Sequence, residues 1–243
     1  MFGPILLLAA CLIPQVPPHV DNEPTLEERG DAQMAHKLYR EAIDTYSEEV
    51  RAHPANSVAW NKLGIAYHQL LDFPHARAMY DKAVHLNHRY SEAINNLGTI
   101  YYAQKNYRRA IRQYEQSLAI APEAASVHSN LGTALIARKK IPEAIAEYDK
   151  ALALDPEVFE HHNSYGVLLQ ERSGPDRALF DFILARTYAG QSNLDKALEY
   201  LRKALEEGFK EQKKIYEDPA FAALVKMPSF TELMANPPVA IPR

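Results

Sequence analysis

The stretch WNKLGIAYHQLLDFPHARAMYDKA, from Trp60 to Ala83, decides the fold, because its large and small residues come back at fixed offsets further along. Trp60, Leu63, Gly64 and Tyr67 are followed by Ala76, Tyr80 and Ala83. A step of 34 residues gives Ile94, Leu97, Gly98, Tyr101, Ala110, Tyr114 and Ser117, and a second step gives His128, Leu131, Gly132, Leu135, Ala144, Tyr148 and Ala151. Internal repetition at this period signals an array of helices.

Trp60, Leu63, Gly64 and Tyr67 stand at i, i+3, i+4 and i+7, one stripe of a helix, and Ala76, Tyr80 and Ala83 form a stripe on another. Each unit is therefore a pair of amphipathic helices. A glycine inside a helix costs about 0.5–1 kcal/mol relative to alanine. Gly64, Gly98 and Gly132 thus imply something seated against the backbone, and the small Ala76, Ala110 and Ala144 would supply the other side of a close crossing. Pro122 and Pro156 end the second helices, since proline lacks the donor that continues a helix.

Asn96-Leu97-Gly98-Thr99 recurs as Asn130-Leu131-Gly132-Thr133, and Ala-x-x-x-Tyr recurs at Ala42/Tyr46, Ala76/Tyr80, Ala110/Tyr114 and Ala144/Tyr148. On these residues the chain resembles the tetratricopeptide repeat family. Units 57–90, 91–124 and 125–158 are regular; unit 23–56 is degenerate, keeping Gly30, Ala42, Tyr46 and Pro54 but carrying Gln33 and Glu49 at positions that are apolar or small elsewhere. The resemblance implies an all-α fold, a solenoid of helical hairpins wound as a right-handed superhelix with short C-terminal capping helices. It also implies a scaffold for protein–protein interaction, without catalysis.

Past Pro156 the register slips, over residues 159–211. Gly166 takes the glycine position of another first helix, Val158 to Glu171, yet the next match is Ala185, only 19 residues on. Gly174-Pro175 interrupts the chain, and Pro175 to Ala189 is a second helix by location but a first helix by sequence, since Leu184, Ala185 and Tyr188 lead to Ala197, Leu201 and Ala204. This helix is expected to serve both neighbours. Gly208 resembles a C-terminal cap. Residues 212–235, with Phe221, Leu224, Phe230 and Leu233, read as capping helices over the last apolar face, and 236–243 as a proline-containing tail.

Among 243 residues, 24% are charged and 47% hydrophobic, with a net charge of −4, a balance that suits a folded chain and favours no nucleic acid. Basic runs at Arg108-Arg109 with Arg112, at Arg138-Lys139-Lys140, and at Lys210 with Lys213-Lys214 fall on the turn side or outer face of the second helices. They read as a solvated face, with a patch for an anionic partner as the alternative. Residues 5–13 are apolar, too few to span a bilayer but enough for the core of a signal segment. Leu8-Ala9-Ala10-Cys11 resembles the lipobox of bacterial lipoproteins, which implies membrane attachment through a lipidated Cys11; it is the single cysteine, so no disulfide forms within the chain. On this reading residues 1–22 are a leader and a proline-rich tether, and the protein is expected to be exported, periplasmic or lipid-anchored in the bacterial envelope. A cytosolic regulatory adaptor is the alternative.

In a hairpin array the first helices line the inner wall. Counting from each repeat start places Asn61, Ile65, His68, Gln69, Asn95, Thr99, Tyr102, Ser129, Thr133, Ile136 and Asn163 on that wall. Amides and hydroxyls suit the backbone of an extended peptide or a partner helix, and Ile65, Tyr102 and Ile136 would anchor apolar side chains. Repeats that capture chaperone C-termini resemble this fold but use a clamp of Lys, Asn, Asn, Lys and Arg. The matching positions here are Asn61, Ile65, Asn96, Ser126 and Asn130, of which only Asn96 agrees, so a terminal carboxylate lacks its charged partners. No phosphate loop, nucleophile elbow or Cys/His pairing is present, and no cofactor or metal is expected. The densest ligand-type clusters are Glu160-His161-His162 and His85 with His88. Adjacent histidines on a helix point about 100° apart and cannot both reach one ion, and a metal-dependent hydrolase built on His161 or His162 is the contrary reading.

Overall fold

Short polar residues stand just ahead of the periodic segments and start them. Thr25 accepts from the Glu28 amide while Glu28 reaches back to the Thr25 amide, a reciprocal cap. Asn56, Asp72, Asn106 and Asn193 accept backbone N–H groups at the next starts in the same way. A computed structural model describes residues 24–160 and 174–239. Among these residues the secondary structure is helical throughout, with no strand.

The helices are α1 (Leu26–Ala35), α2 (Tyr39–Ala52), α3 (Ser57–Gln69), α4 (Phe73–Leu86), α5 (Ser91–Ala103), α6 (Tyr107–Ile120), α7 (Ala125–Ala137), α8 (Ile141–Leu154), α9 (Gly174–Gly190), α10 (Leu194–Glu206), α11 (Gln212–Glu217) and α12 (Pro228–Ala235). They pack as the hairpins α1/α2, α3/α4, α5/α6, α7/α8 and α9/α10, and α2, α4 and α6 each also touch the first helix of the next hairpin. This is the all-α solenoid that the repeat period requires. The degenerate first unit is a hairpin like the others.

What sits against the helix glycines is mainly a tyrosine ring from the second helix of the same hairpin. A Cβ added at Gly64 would lie 2.6 and 2.7 Å from Tyr80 Cε1 and Cδ1, with the Ala76 carbonyl at 3.2 Å. The close alanine crossing expected from sequence is present, but the ring makes the tighter contact. Tyr46, Tyr80, Tyr114 and Tyr148 are all fully buried, one in each of the first four hairpins. Each places a large aromatic surface where the helices approach most closely.

Four hairpin turns, 34 residues apart, pass through one left-handed residue: Lys37, Leu71, Lys105 and Lys139, with φ of 60, 59, 59 and 60°. Ser192 does the same between α9 and α10. No glycine occupies these positions, although glycine is the residue that adopts this conformation without strain.

The helix expected over Val158–Glu171 lies largely outside the described residues, and its first three positions, 158–160, form a turn. Phe159 belongs to an aromatic cluster with Tyr148 and Phe180, at centroid distances of 5.0 and 6.5 Å, which joins α8 to α9. Lys196 Nζ, 2.8 Å from Glu160 Oε1, ties the same turn to α10. At the end of α10, Gly208 has φ 89° and the Phe209 amide donates to the Ala204 carbonyl, a glycine cap of the expected kind. Phe221, Leu224, Phe230 and Leu233 are buried, carried by the single turns Pro219–Phe221 and Leu224–Lys226 and by α12. Phe209 stacks on Phe182 at 4.3 Å, so the C-terminal elements close the face of α9 and α10.

Candidate functional site: the inner wall of α3, α5 and α7

The amides of the first helices are engaged with one another. Asn61 Nδ2 donates to Glu92 Oε1 at 2.9 Å and to the Tyr90 hydroxyl at 3.3 Å, and Asn96 Nδ2 donates to Asn61 Oδ1 at 3.0 Å. Asn95 Nδ2 reaches Asn96 Oδ1 at 3.4 Å, and Asn130 Nδ2 reaches Asn95 Oδ1 at 3.0 Å. One chain of side-chain hydrogen bonds therefore runs from α3 through α5 to α7. All four asparagines are buried, and such groups must be paired to avoid a desolvation penalty of about 1–3 kcal/mol each. Burial, with the Glu92 carboxylate close by, pushes the Tyr90 hydroxyl up to about 12, so it stays protonated at the head of the chain.

This ladder changes the picture of the wall. Asn61 and Asn95 hold repeats together, and their hydrogen-bonding groups face other repeats. Thr99 donates to the Asn95 carbonyl at 3.2 Å, Thr133 pairs with the Tyr148 hydroxyl at 2.8 Å, and His68 Nδ1 lies 3.4 Å from the Tyr80 hydroxyl; all three are buried. Ile65 and Ile136 are buried too, so of the three apolar anchors only Tyr102 keeps a solvent-facing surface. Half-buried Tyr102 and Ser129 and exposed Gln69 are what the wall offers from the expected set. Tyr102 lies against Tyr107, 5.2 Å between ring centroids with the planes tilted by 56°. Asn163 and Cys11 lie outside the described residues, as do His161 and His162.

The ladder has a sequence signal that the helix stripe does not reveal. Its asparagine–asparagine contacts between repeats join residues 35 apart, Asn61 to Asn96 and Asn95 to Asn130, one more than the repeat period. Asn96, the single residue in agreement with the chaperone clamp, is a rung of it. His85 and His88 have rings 6.1 Å apart and both are exposed; among the described residues no group of three His, Cys, Asp or Glu could hold a metal ion.

Stacked hairpins, the first four with a tyrosine seated on a glycine, define a helical solenoid of the repeat type. Residues 27–93, 95–158 and 165–209 match the family described as Tetratricopeptide repeat, well over half of the chain, and the chain belongs to that family. Among solved structures it is similar to a crystal structure of MamA, 24% identical, with a TM-score of 0.51 over 77% of this chain and 96% of that one. It is similar also to MamA from residue 41 to its end, from Desulfovibrio magneticus RS-1, 21% identical, with a TM-score of 0.53 over 75% and 92%. The first repeat domain of Spaghetti (RPAP3), solved with the HSP90 peptide SRMEEVD, is 30% identical over 50% of this chain and 90% of that one, with a TM-score of 0.44. No curated protein matches the chain.

Proposed function

We propose that this protein is a non-catalytic scaffold that holds an extended peptide or a partner helix against the inner wall of α3, α5 and α7. Membership of a family of interaction repeats supports the general reading, and one observation carries the specific one. The wall's buried amides are satisfied internally and rigidify the repeats, leaving the Tyr102 ring, Ser129 and Gln69 as a pre-formed surface. An aromatic anchor beside neutral polar groups favours a neutral, partly apolar segment over a terminal carboxylate.

Selection from a displayed random-peptide library tests this. Selected peptides are expected to contain an apolar anchor, and Tyr102→Ala should weaken their binding about 10- to 100-fold, the usual range for an interface aromatic. Ser129→Glu should weaken it as well. Glutamate at Asn95 is unsuitable as a probe, since it would break the ladder and the fold with it. Peptides that bind the Tyr102→Ala and Ser129→Glu variants unchanged would remove the wall as the site.

The same proposal places the protein in the bacterial envelope, anchored through a lipid on Cys11, and by analogy of architecture in envelope or pilus assembly. Its support is the run Leu8-Ala9-Ala10-Cys11 within the apolar segment 5–13. Several acyl chains at about 0.8 kcal/mol per buried CH₂ hold a protein to a bilayer durably. Cys11→Ser should move the protein from the membrane fraction to the soluble one, and an unchanged partition would remove the lipid.

A further inference from the structure

We propose that the edge of the solenoid formed by its hairpin turns is a docking surface for an anionic lipid bilayer, separate from the inner wall. The left-handed residues of four successive turns recur every 34 positions and so stand in a row along one edge: Lys37, Leu71, Lys105 and Lys139. All four are exposed. A left-handed conformation disfavours any residue with a Cβ by about 1–2 kcal/mol, and glycine would remove that strain. Retaining three lysines and a leucine at strained, solvent-facing turns points to a use for their side chains.

Charge and apolarity on this edge both fit a bilayer. Arg108 and Arg138 flank the row, and among the described residues no ion pair engages these two or Lys37, Lys105 and Lys139, although the chain as a whole carries −4. Of the carboxylates on the same edge, Asp72 is paired with His75 at 2.8 Å and Glu143 with Lys140 at 3.5 Å, while Glu41, exposed in the first turn of α2, is not ion-paired among the described residues and is outnumbered by the five cations. The row therefore presents a net positive charge to phosphate groups. Leu71 is 54% exposed, and Leu38 and Leu70 beside the row are 45% and 41% exposed. Exposed leucines at the tips of tight turns, interleaved with lysine and arginine, suit the boundary between headgroups and acyl chains better than they suit nucleic acid or an acidic protein segment. Among the described residues no helix is long and apolar enough to cross a membrane.

The test uses the full chain carrying Cys11→Ser, so that no acyl chain contributes. Flotation with phosphatidylcholine vesicles, with or without about a third phosphatidylglycerol, measures binding at low and at high salt. The expected result is binding to the anionic vesicles that falls with salt, and little binding to neutral ones. Combining Lys37→Gly, Lys105→Gly and Lys139→Gly relieves backbone strain while removing three charges, so the variant folds and is at least as stable. It is expected to bind about 100-fold more weakly, at about 1 kcal/mol per basic residue near the surface. Leu71→Gly should reduce binding without changing its salt dependence. Equal binding to neutral and anionic vesicles, an unchanged triple variant, or binding to duplex DNA or poly-glutamate in preference to vesicles would overturn the proposal. Peptide binding at the inner wall should be untouched by the triple variant, which separates this surface from that site.

Discussion

Gly98→Ala is expected to lower the free energy of unfolding by about 2 kcal/mol, although alanine is the better helix former. Alone, the exchange would favour the helix by about 1 kcal/mol. Here the new Cβ would stand 2.5 and 2.7 Å from Tyr114 Cε1 and Cδ1. That ring is fully buried and has nowhere to turn, so the helices must part. Overpacking of this kind costs about 1–3 kcal/mol, at the upper end where a rigid ring is the neighbour. Chemical denaturation of Gly98→Ala beside Gly190→Ala makes the comparison, since a Cβ at Gly190 meets nothing within 4 Å. The Gly190 variant should be neutral or stabilised. A Gly98 variant that behaves the same way would mean that the tyrosine is not seated on the glycine.

Acid should weaken the fold through His68. Burial holds its imidazole down to about 4 from the ordinary 6.5, with the rings of Phe73 and Tyr80 packed edge-on against it. Because the folded value lies below the unfolded one, the unfolded chain takes up the proton first as pH falls. The contribution of neutral His68 is complete above about 6.5 and is lost as pH drops towards 4, amounting to about 3 kcal/mol once both states are protonated. Depressed carboxylates such as Glu147, where hydrogen bonds from Lys150 and His128 outweigh the opposing effect of burial, push in the same direction. The variant His68→Gln separates the two contributions. Between pH 7 and 5 the natural chain should lose about 2 kcal/mol more than the variant does. Equal losses would place His68 in water.

The fold was legible because its determinants are local and periodic. Glycine, alanine and tyrosine at constant offsets mark the closest approach of two helices within one hairpin, and a single unit's stripe contains all three. The short C-terminal helices could be read from Pro219 and Pro228 with their buried aromatic and aliphatic residues; α11 carries only Ile215 into the core and gave little pattern to read. The inner wall was less legible for a physical reason. A helix wheel tells which residues face away from the partner helix of the same hairpin, but not how near the next hairpin comes. Asn61, Asn95, Thr99 and Thr133 do face away from one neighbour or another, yet adjacent first helices lie close enough for the asparagines to bond across the gap. Tyr102 keeps its exposed surface because it stands near the end of α5, resting on Tyr107 across the turn. The row of left-handed lysines shows the same limit: the repeat spacing was visible, the backbone conformation was not.

Hydrogen–deuterium exchange of the full chain with and without a selected peptide tests the central claim most directly. The inner-wall account predicts new protection concentrated in α3, α5 and α7, strongest around Tyr102, with α4, α6 and α8 unchanged. Protection confined to the second helices or to the C-terminal elements from α10 onward would contradict it.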